Sequence, residues 1–330
     1  MPVNSRDMNK EIGSLQPLSL AFWKAYGIQM RPYLLFVSGV AGWAGISLGA
    51  SDTTPLWLQI LAFIPLFLGY GFGQALTDCF QIDTDTLSAP SRPLSLGLLS
   101  KSSVIITSLT GLFIISGILV FLNPWNLILC CLSIFGLATY TYVKKNIWFG
   151  GPFYNAWIVA LLPMMGYITI SGKGLHDLSE TVLFYLLLMS FFAYSSFVLI
   201  GYLKDITADK KAGYKTFTVV FGWNSSVWVS FIFLVITILI CKQLMQQKLS
   251  AILILILAAI VSAMGHVYAM FTKNKIENNA MIPVSSTLRS FVLFHLAVIV
   301  ALSATPVWLV VVFYLAFEIF FYLRPDEHQI

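Results

Sequence analysis

The sequence predicts an all-α, polytopic transmembrane helical bundle of about nine to ten spans. Of the 330 residues, 58% are hydrophobic and only 10% are charged, and the mean hydropathy is +0.85. Soluble globular domains carry about 25% charged residues, so this composition excludes that class. The net charge of +5 does not indicate a nucleic acid partner, because an excess of Lys and Arg in membrane proteins mainly marks the loops that stay in the cytoplasm. The predicted environment is the lipid bilayer.

Three regions are predicted along the chain. Residues 1–31 form a polar tail and an aromatic-rich interfacial segment, residues 32–303 form the bundle, and residues 304–330 add a further span and a short tail. Ten apolar runs are long enough to cross about 30 Å of hydrocarbon. They lie at residues 32–50, 55–78, 101–122, 125–143, 151–171, 181–203, 223–241, 249–272, 286–303 and 305–323.

The distribution of positive charge predicts the orientation of these spans. If the N-terminus is inside, only Lys173, Lys242 and Lys248 of the nineteen Lys and Arg residues fall in outer segments, which leaves sixteen inside. Lys and Arg concentrate on the cytoplasmic side of membrane proteins. We therefore expect both termini, and both of the acidic segments described next, to lie on the cytoplasmic side.

The first acidic segment, residues 77–93, directly follows the second predicted span. Asp78 and Asp85 are seven residues apart and would share one face of a continuing helix with Gln81, whereas Asp83 would point elsewhere. A carboxylate at the centre of a transmembrane helix is disfavoured by roughly 2.5 to 3.5 kcal/mol, and by less near an end. The segment therefore predicts a compensating partner, and a divalent cation is the partner that we expect.

The second acidic segment, residues 204–216, follows the sixth predicted span in the same way. Asp205 and Asp209 are four residues apart and would project from one face of a helix end. Two such carboxylate pairs facing each other could hold Mg²⁺, which takes oxygen ligands and keeps part of its coordination shell for substrate phosphates. Basic residues that suit a diphosphate are interleaved with them: Arg92, Lys204, Lys210, Lys211 and Lys215. The alternative is that both segments carry ordinary solvated loop charges.

These segments resemble the two motifs of the UbiA superfamily of intramembrane prenyltransferases. That family's first motif is Asn-Asp-x-x-Asp-x-x-x-Asp followed by Arg-Pro, and the same register here gives Thr77, Asp78, Gln81, Asp85 and Arg92-Pro93. Its second motif, Asp-x-x-x-Asp, matches Asp205 and Asp209, with Lys210, Gly213 and Thr216 as the family has them. A third region, residues 140–145 with Asn155 beyond it, is similar to the family's tyrosine-then-lysine loop.

The resemblance implies a role for each matching residue. The four aspartates Asp78, Asp85, Asp205 and Asp209 would hold Mg²⁺, and Lys144 or Lys145 would meet the diphosphate. The other residues implied in substrate binding are Gln81, Arg92, Tyr140, Asn155, Lys204 and Lys210. Two departures stand out, because Thr77 replaces the leading Asn of the first motif and Gln81 replaces its middle Asp. The family has nine spans, so the run at residues 306–323 would be an added tenth, and we expect Glu318 within it to make a structural pair.

The activity that the resemblance implies is Mg²⁺-dependent ionisation of an isoprenyl diphosphate, followed by transfer of the prenyl group to a lipophilic, aromatic acceptor. An alternative of the same fold is a terpene cyclase, in which the carbocation is quenched within the substrate. An alternative of another class is a cation-binding membrane transporter. The position of the acidic segments at span ends disfavours the transporter, because transport sites lie near the bilayer midplane.

Overall fold

The computed structural model of the protein describes residues 14–17 and 19–325. Most of the predicted N-terminal tail, together with Leu18 and the last five residues, lies outside this described part. Within it, the regular structure is entirely helical, and thirteen α-helices are present. They are α1 Leu20–Gln29, α2 Leu35–Gly49, α3 Leu56–Asp78, α4 Ile82–Ser88, α5 Lys101–Leu122, α6 Asn126–Asn146, α7 Gly150–Ser171, α8 Thr181–Gly201, α9 Ile206–Lys211, α10 Phe217–Gln243, α11 Leu249–Phe271, α12 Met281–Leu302 and α13 Val307–Tyr322.

Nine helices of the described residues are long and apolar enough to cross a membrane. They are α2, together with the 3₁₀ turn before it, and α3, α5, α6, α7, α8, α10, α11 and α12. Helix α13 is also apolar but has only 16 residues. The all-helical transmembrane class that the sequence predicts is therefore confirmed, with nine long spans and one shorter helix.

Helices α2, α8 and α12 form the centre of the bundle. Helix α2 packs against α3, α7 and α12, while α8 packs against α7, α10 and α12. The close approach of α2 and α7 requires glycine, because a Cβ atom at Gly45 or Gly166 would overlap the backbone of the other helix. Helix α12 is the most enclosed, with 83% of its apolar window buried. It begins at Met281, earlier than its apolar run predicts, because Pro283 and Val284 are already buried in the bundle.

Two short helices cover one end of the bundle. Helix α4 follows the end of α3 after a turn, α9 follows the end of α8, and α4 and α9 contact each other. The two acidic segments therefore meet. The next span, α10, bends at Gly222, whose φ of 77° lies in the left-handed region that favours glycine.

The C-terminal helix α13 is held to the bundle by an ion pair. The Arg289 guanidinium of α12 donates two hydrogen bonds to the Glu318 carboxylate, with Nε–Oε1 and Nη2–Oε2 distances of 2.7 and 2.9 Å. A charged group within an apolar helix needs such a partner. Glu318 thus makes the structural pair that its position in an apolar run predicts.

Candidate active site

A polar cavity of about 700 Å³ opens at the end of the bundle that α4 and α9 cover. Its wall is built from α3, α4, α6, α7 and α8, from the turn after α1, and from the segments that follow α4 and α8. The polar residues and tyrosines that line it are Arg31, Tyr70, Gln74, Asp78, Gln81, Thr84, Asp85, Ser88, Arg92, Tyr140, Lys144, Asn155, Tyr194, Tyr202, Lys204 and Asp205. Nine of the twelve residues that the motifs single out therefore line one cavity.

The other three predicted site residues lie outside this lining. Asp209 is fully buried behind Lys144, and its Oδ1 atom lies 3.5 Å from the lysine Nζ atom. Lys145 is on the outer surface, where its Nζ atom lies 3.2 Å from Oδ2 of Asp83. Lys210 is exposed on α9. The structure therefore separates Lys144 from Lys145, because successive residues of a helix point in different directions.

Asp78 is the most extensively hydrogen-bonded carboxylate of the site. Gln29 donates to Oδ2 at 2.6 Å and Gln74 donates to Oδ1 at 2.6 Å. Arg31 donates to both oxygens from Nη2, at 2.9 and 2.8 Å. Four charge-assisted hydrogen bonds on one buried carboxylate hold it in a single orientation.

Arg31 is a site residue that the sequence patterns do not mark. It follows α1, where the sequence predicts only an interfacial segment, and its φ of 52° places it in the left-handed region. That conformation is uncommon for a residue with a side chain, and it persists where surrounding contacts determine it. Here the contact with Asp78 does so. The one available sequence signal is the pair Arg31-Pro32 directly before a span, which repeats the Arg-Pro pair at Arg92.

Asp85 completes the first acidic segment and pairs with Arg92. The Nη1 atom of Arg92 lies 2.6 Å from Oδ2 of Asp85. Burial raises the pKa of Asp85, and the neighbouring Arg92 guanidinium acts in the opposite direction. Both side chains are almost completely enclosed, so each depends on the other for its charge balance.

The second acidic segment is paired with lysines. Nζ of Lys204 lies 2.9 Å from both carboxylate oxygens of Asp205. Burial raises the pKa of Asp205, but Lys204 and Lys144 outweigh it and hold that pKa below its usual value. Burial also raises the pKa of Asp209, and the nearby Lys144 ammonium group acts in the opposite direction.

Lys144 also contacts Gln81, the residue that replaces a carboxylate in the first motif. Its Nζ atom donates to Oε1 of Gln81 at 3.1 Å. The same ammonium group lies over the rings of Tyr202 and Tyr214, at 5.3 and 5.2 Å from their centroids. One cation therefore joins both acidic segments and two aromatic faces.

The donor set of the cavity suits Mg²⁺. Directly behind the lining, both carboxylate oxygens of Asp209 are buried and receive no hydrogen bond from the described residues, although the Lys144 Nζ atom lies 3.5 Å from Oδ1. Buried oxygens of this kind retain capacity for a further partner. No group of three or more His, Cys, Asp or Glu side chains comes together in the described ranges. Mg²⁺, however, is commonly held by one or two carboxylates together with substrate phosphates, rather than by a cage of protein ligands.

Asp83 takes part in a different contact on the outer side of the site. Besides the Lys145 ion pair, it accepts a hydrogen bond from the Tyr214 hydroxyl at 3.2 Å. The Lys215 amide donates to the Lys145 carbonyl at 2.9 Å. These contacts join the end of α6, helix α4 and the loop after α9. Asp83 stays outside the cavity lining as predicted, although the helix is interrupted between Asp78 and Ile82 rather than continuous.

An apolar cavity of about 830 Å³ continues from the polar one into the bundle. It lies between α3, α5, α6, α7 and α8, and the residues that line both cavities are Tyr70, Gln74, Tyr140, Asn155 and Tyr194. At this junction the hydroxyls of Tyr70 and Tyr194 lie 2.7 Å apart. Deeper in, the wall is aliphatic, with Leu112, Ile115, Leu119, Leu162 and Met165. An amphiphilic molecule could place a charged group in one cavity and an apolar chain in the other.

Comparisons with known proteins agree with this architecture. The model of the UbiA prenyltransferase family matches residues 37–282, and the chain belongs to that family. It is therefore an integral membrane prenyltransferase, which excludes the transporter alternative.

Curated relatives are named as prenyl-transferring enzymes, and solved structures share the fold. The digeranylgeranylglyceryl phosphate synthase of Thermococcus kodakarensis is 26% identical over 66% of this chain and 76% of its own length, and that of Thermococcus sibiricus is 29% identical over 64% and 73%. Among solved structures, a UbiA homolog from Aeropyrum pernix K1 has a TM-score of 0.67 at 16% identity, covering 81% of this chain and 97% of its own. A UbiA homolog from Archaeoglobus fulgidus bound to DMAPP and Mg²⁺ has a TM-score of 0.62 at 17% identity, covering 83% and 99%.

Proposed function

We propose that this prenyltransferase uses Mg²⁺ to ionise an isoprenyl diphosphate and transfers the prenyl group to a lipophilic acceptor. The observation that carries the proposal is the junction of a cavity lined by both acidic and basic side chains with an apolar cavity inside the bundle. An isoprenyl diphosphate has the same two parts, a charged head and an apolar chain. The Archaeoglobus fulgidus homolog, bound to DMAPP and Mg²⁺, supports this class of substrate.

Each set of side chains has its own task in this reaction. Asp78, Asp85, Asp205 and Asp209 would hold Mg²⁺, which supplies positive charge to the leaving diphosphate. The basic residues Arg31, Arg92, Lys144 and Lys204 would bind the phosphate oxygens and stabilise the negative charge that develops as the C1–O bond breaks. The electron pair of that bond leaves with the diphosphate. The acceptor then forms the new bond to C1 and loses a proton.

Aromatic faces surround the place where the carbocation would form. Tyr70, Tyr140 and Tyr194 line the junction between the two cavities, and an aromatic face attracts a cation. Below them the apolar cavity would hold the isoprenyl chain and exclude water. Each buried methylene contributes about 0.8 kcal/mol, so a longer chain gains affinity until the cavity is full.

Two kinds of acceptor are consistent with this site. The sequence predicts an aromatic acceptor, by resemblance to the family. The alternative is a lipid alcohol that carries a glyceryl phosphate, and two observations favour it. The curated relatives are named for a product of that class, and a polar recess of about 740 Å³ adjoins the site at Ser88, Lys204 and Asp205. A phosphate headgroup could occupy this recess.

The proposal is tested with purified protein, Mg²⁺, a panel of prenyl diphosphates and both classes of acceptor. We expect release of diphosphate and a prenylated acceptor, identified by mass. Failure to release diphosphate from every member of the panel would contradict the proposal. A cyclic hydrocarbon or alcohol in the absence of acceptor would instead establish the cyclase alternative, whereas strict dependence on acceptor would exclude it.

The sidedness of the site is part of the proposal. The excess of Lys and Arg on one side supports a cytoplasmic position for both acidic segments. A single cysteine at Ser88, in a chain otherwise free of cysteine, should be protected from an impermeant thiol reagent added to intact cells. Labelling of that cysteine from outside the cell would show that the protein has the opposite orientation.

A further inference from the structure

Each of the four acidic side chains of the site has its own basic partner. The pairs are Arg31–Asp78 at 2.8 Å, Arg92–Asp85 at 2.6 Å, Lys204–Asp205 at 2.9 Å and Lys144–Asp209 at 3.5 Å. No member of these pairs has a side chain more than 16% exposed. Four negative and four positive charges thus balance to zero inside a largely enclosed site.

This balance disfavours the binding of either ligand alone. A metal ion alone would take up carboxylates and leave basic side chains buried without a partner. A diphosphate alone would take up the basic side chains and leave carboxylates unpaired beside an anion. An uncompensated charge in such a site costs several kcal/mol. Mg²⁺ and a diphosphate entering together offset much of each other's charge and leave every side chain with a partner.

We propose that the four pairs act as an exchange switch. When both ligands bind, each aspartate exchanges its basic partner for a metal ion, and each basic residue exchanges its carboxylate for a phosphate oxygen. This inference rests on the proposed function and adds a property to it. Metal and diphosphate should bind with positive coupling, and by thermodynamic linkage each raises the affinity for the other by the same factor. We expect a factor of about 10 to 100, within the range of allosteric couplings.

The wild-type protein provides the first test. The full chain in detergent is titrated by calorimetry with inorganic diphosphate in EDTA, with MgCl₂ alone, and with diphosphate at saturating Mg²⁺, after correction for complex formation in buffer. We expect diphosphate to bind at least about tenfold more weakly in EDTA. Equal affinity with and without Mg²⁺ would overturn the exchange switch and leave the proposed function standing. Absence of binding even with both ligands would instead overturn the proposed function.

A second test uses variants that unbalance one pair in opposite directions. Asp209→Asn leaves the cavity-lining Lys144 without its carboxylate, so diphosphate in EDTA should bind about tenfold more tightly than to the wild type. Lys144→Gln leaves Asp209 without its cation, so Mg²⁺ alone should bind more tightly by a similar factor. Without exchange, neither measurement should change, because Asp209 is not a ligand of diphosphate and Lys144 is not a ligand of Mg²⁺; unchanged binding would therefore count against the switch as much as weaker binding. Either result in either folded variant would overturn the proposal.

Asp83→Asn is the matched control for these variants. Asp83 pairs with Lys145 on the outer surface and does not line the cavity. Its removal deletes one carboxylate from the same short helix that carries Asp85, without unbalancing the four pairs. We expect its affinities for diphosphate in EDTA and for Mg²⁺ alone to stay within about twofold of the wild type. A tenfold change in either affinity of this control would show that the effect comes from net charge, and it would overturn exchange within the site.

Discussion

The two acidic segments have the same number of motif carboxylates in the site but differ in how these are held. In the first segment the partners are arginines, and Asp78 receives four hydrogen bonds. In the second segment the partners are lysines, and the Asp209 oxygens receive no hydrogen bond from the described residues. Arginine presents a rigid planar fork, whereas lysine is a point charge on a flexible stem. In the absence of ligands, the first segment is therefore a fixed half of the site, and the second is an adaptable half.

This difference assigns separate tasks to the two halves. Under the proposed function, the fixed carboxylate and the guanidinium beside it would position the diphosphate, since reacting groups must be held in one geometry. The Asp209 carboxylate receives no hydrogen bond from the described residues, so it would take a metal ion once the flexible Lys144 side chain moves aside. The comparison therefore predicts that both halves are needed for catalysis, and that they differ in what their loss does to the fold.

The largest expected effect is the loss of activity when any motif aspartate is removed. Asp78→Ala, Asp85→Ala, Asp205→Ala and Asp209→Ala should each lower the rate of diphosphate release by at least about 100-fold, the usual effect of removing one group that stabilises transition-state charge. Release of diphosphate is measured in purified, folded protein. Near wild-type rates in Asp205→Ala and Asp209→Ala, or activity in excess EDTA, would contradict the metal site.

The next effect distinguishes the halves by stability. Asp78→Ala leaves the Arg31 guanidinium buried and charged, because arginine cannot lose its proton, and breaking such a pair costs about 3 to 5 kcal/mol. Asp205→Ala should cost less, because the Lys204 stem can rotate toward the polar recess that it also lines. Denaturation midpoints in detergent measure the difference. Equal losses would contradict the distinction between a fixed and an adaptable half.

A smaller and more selective effect is expected in the apolar cavity. Gly69 lines this cavity nine residues before Asp78, and a Cβ atom there would meet nothing closer than 3.8 Å. At 1.5 Å per residue it lies about 13 Å along the helix from that carboxylate. Gly69→Leu should therefore lower kcat/KM for geranylgeranyl diphosphate by about tenfold while leaving that for dimethylallyl diphosphate nearly unchanged.

The matched control for the cavity is Gly117→Leu. Gly117 lies on α5 outside the cavity lining, and a Cβ atom there would have no neighbour within 4 Å. It should change neither substrate's kcat/KM. Equal loss for both prenyl diphosphates in Gly69→Leu would mean that the isoprenyl chain does not occupy this cavity.

The smallest expected effect concerns Gln81. Gln81→Asp restores the carboxylate of the family motif beside Lys144, which now donates to the Gln81 oxygen. One further negative charge should lower the Mg²⁺ concentration that gives half-maximal rate by about threefold, with the same product. The measurement is a Mg²⁺ titration of the rate. An unchanged requirement for Mg²⁺ would show that residue 81 lies outside the metal's reach, and a higher one would contradict the expected gain in metal affinity.

The sequence predicts the spans from apolar runs, and its motifs predict nine of the twenty residues that line the polar cavity. Asp78 and Asp85 reach one cavity as predicted, but not on one continuous helix, because α3 ends at Asp78 and Asp85 lies on α4. Three features depend on tertiary contacts instead. Arg31 reaches Asp78 only because a left-handed turn follows α1, Lys144 rather than Lys145 faces inward because of how α6 is rotated, and Asp209 lies behind Lys144 because α9 packs on α4.

The most direct measurement is an experimental structure of the protein with Mg²⁺ and a non-hydrolysable prenyl thiodiphosphate. We expect phosphate oxygens within hydrogen-bond distance of Arg31 and Lys144, Mg²⁺ held by carboxylates of both acidic segments, and the isoprenyl chain between α3, α5 and α7. A diphosphate bound while the four acid–base pairs remain intact, or a chain that lies outside the apolar cavity, would contradict the account.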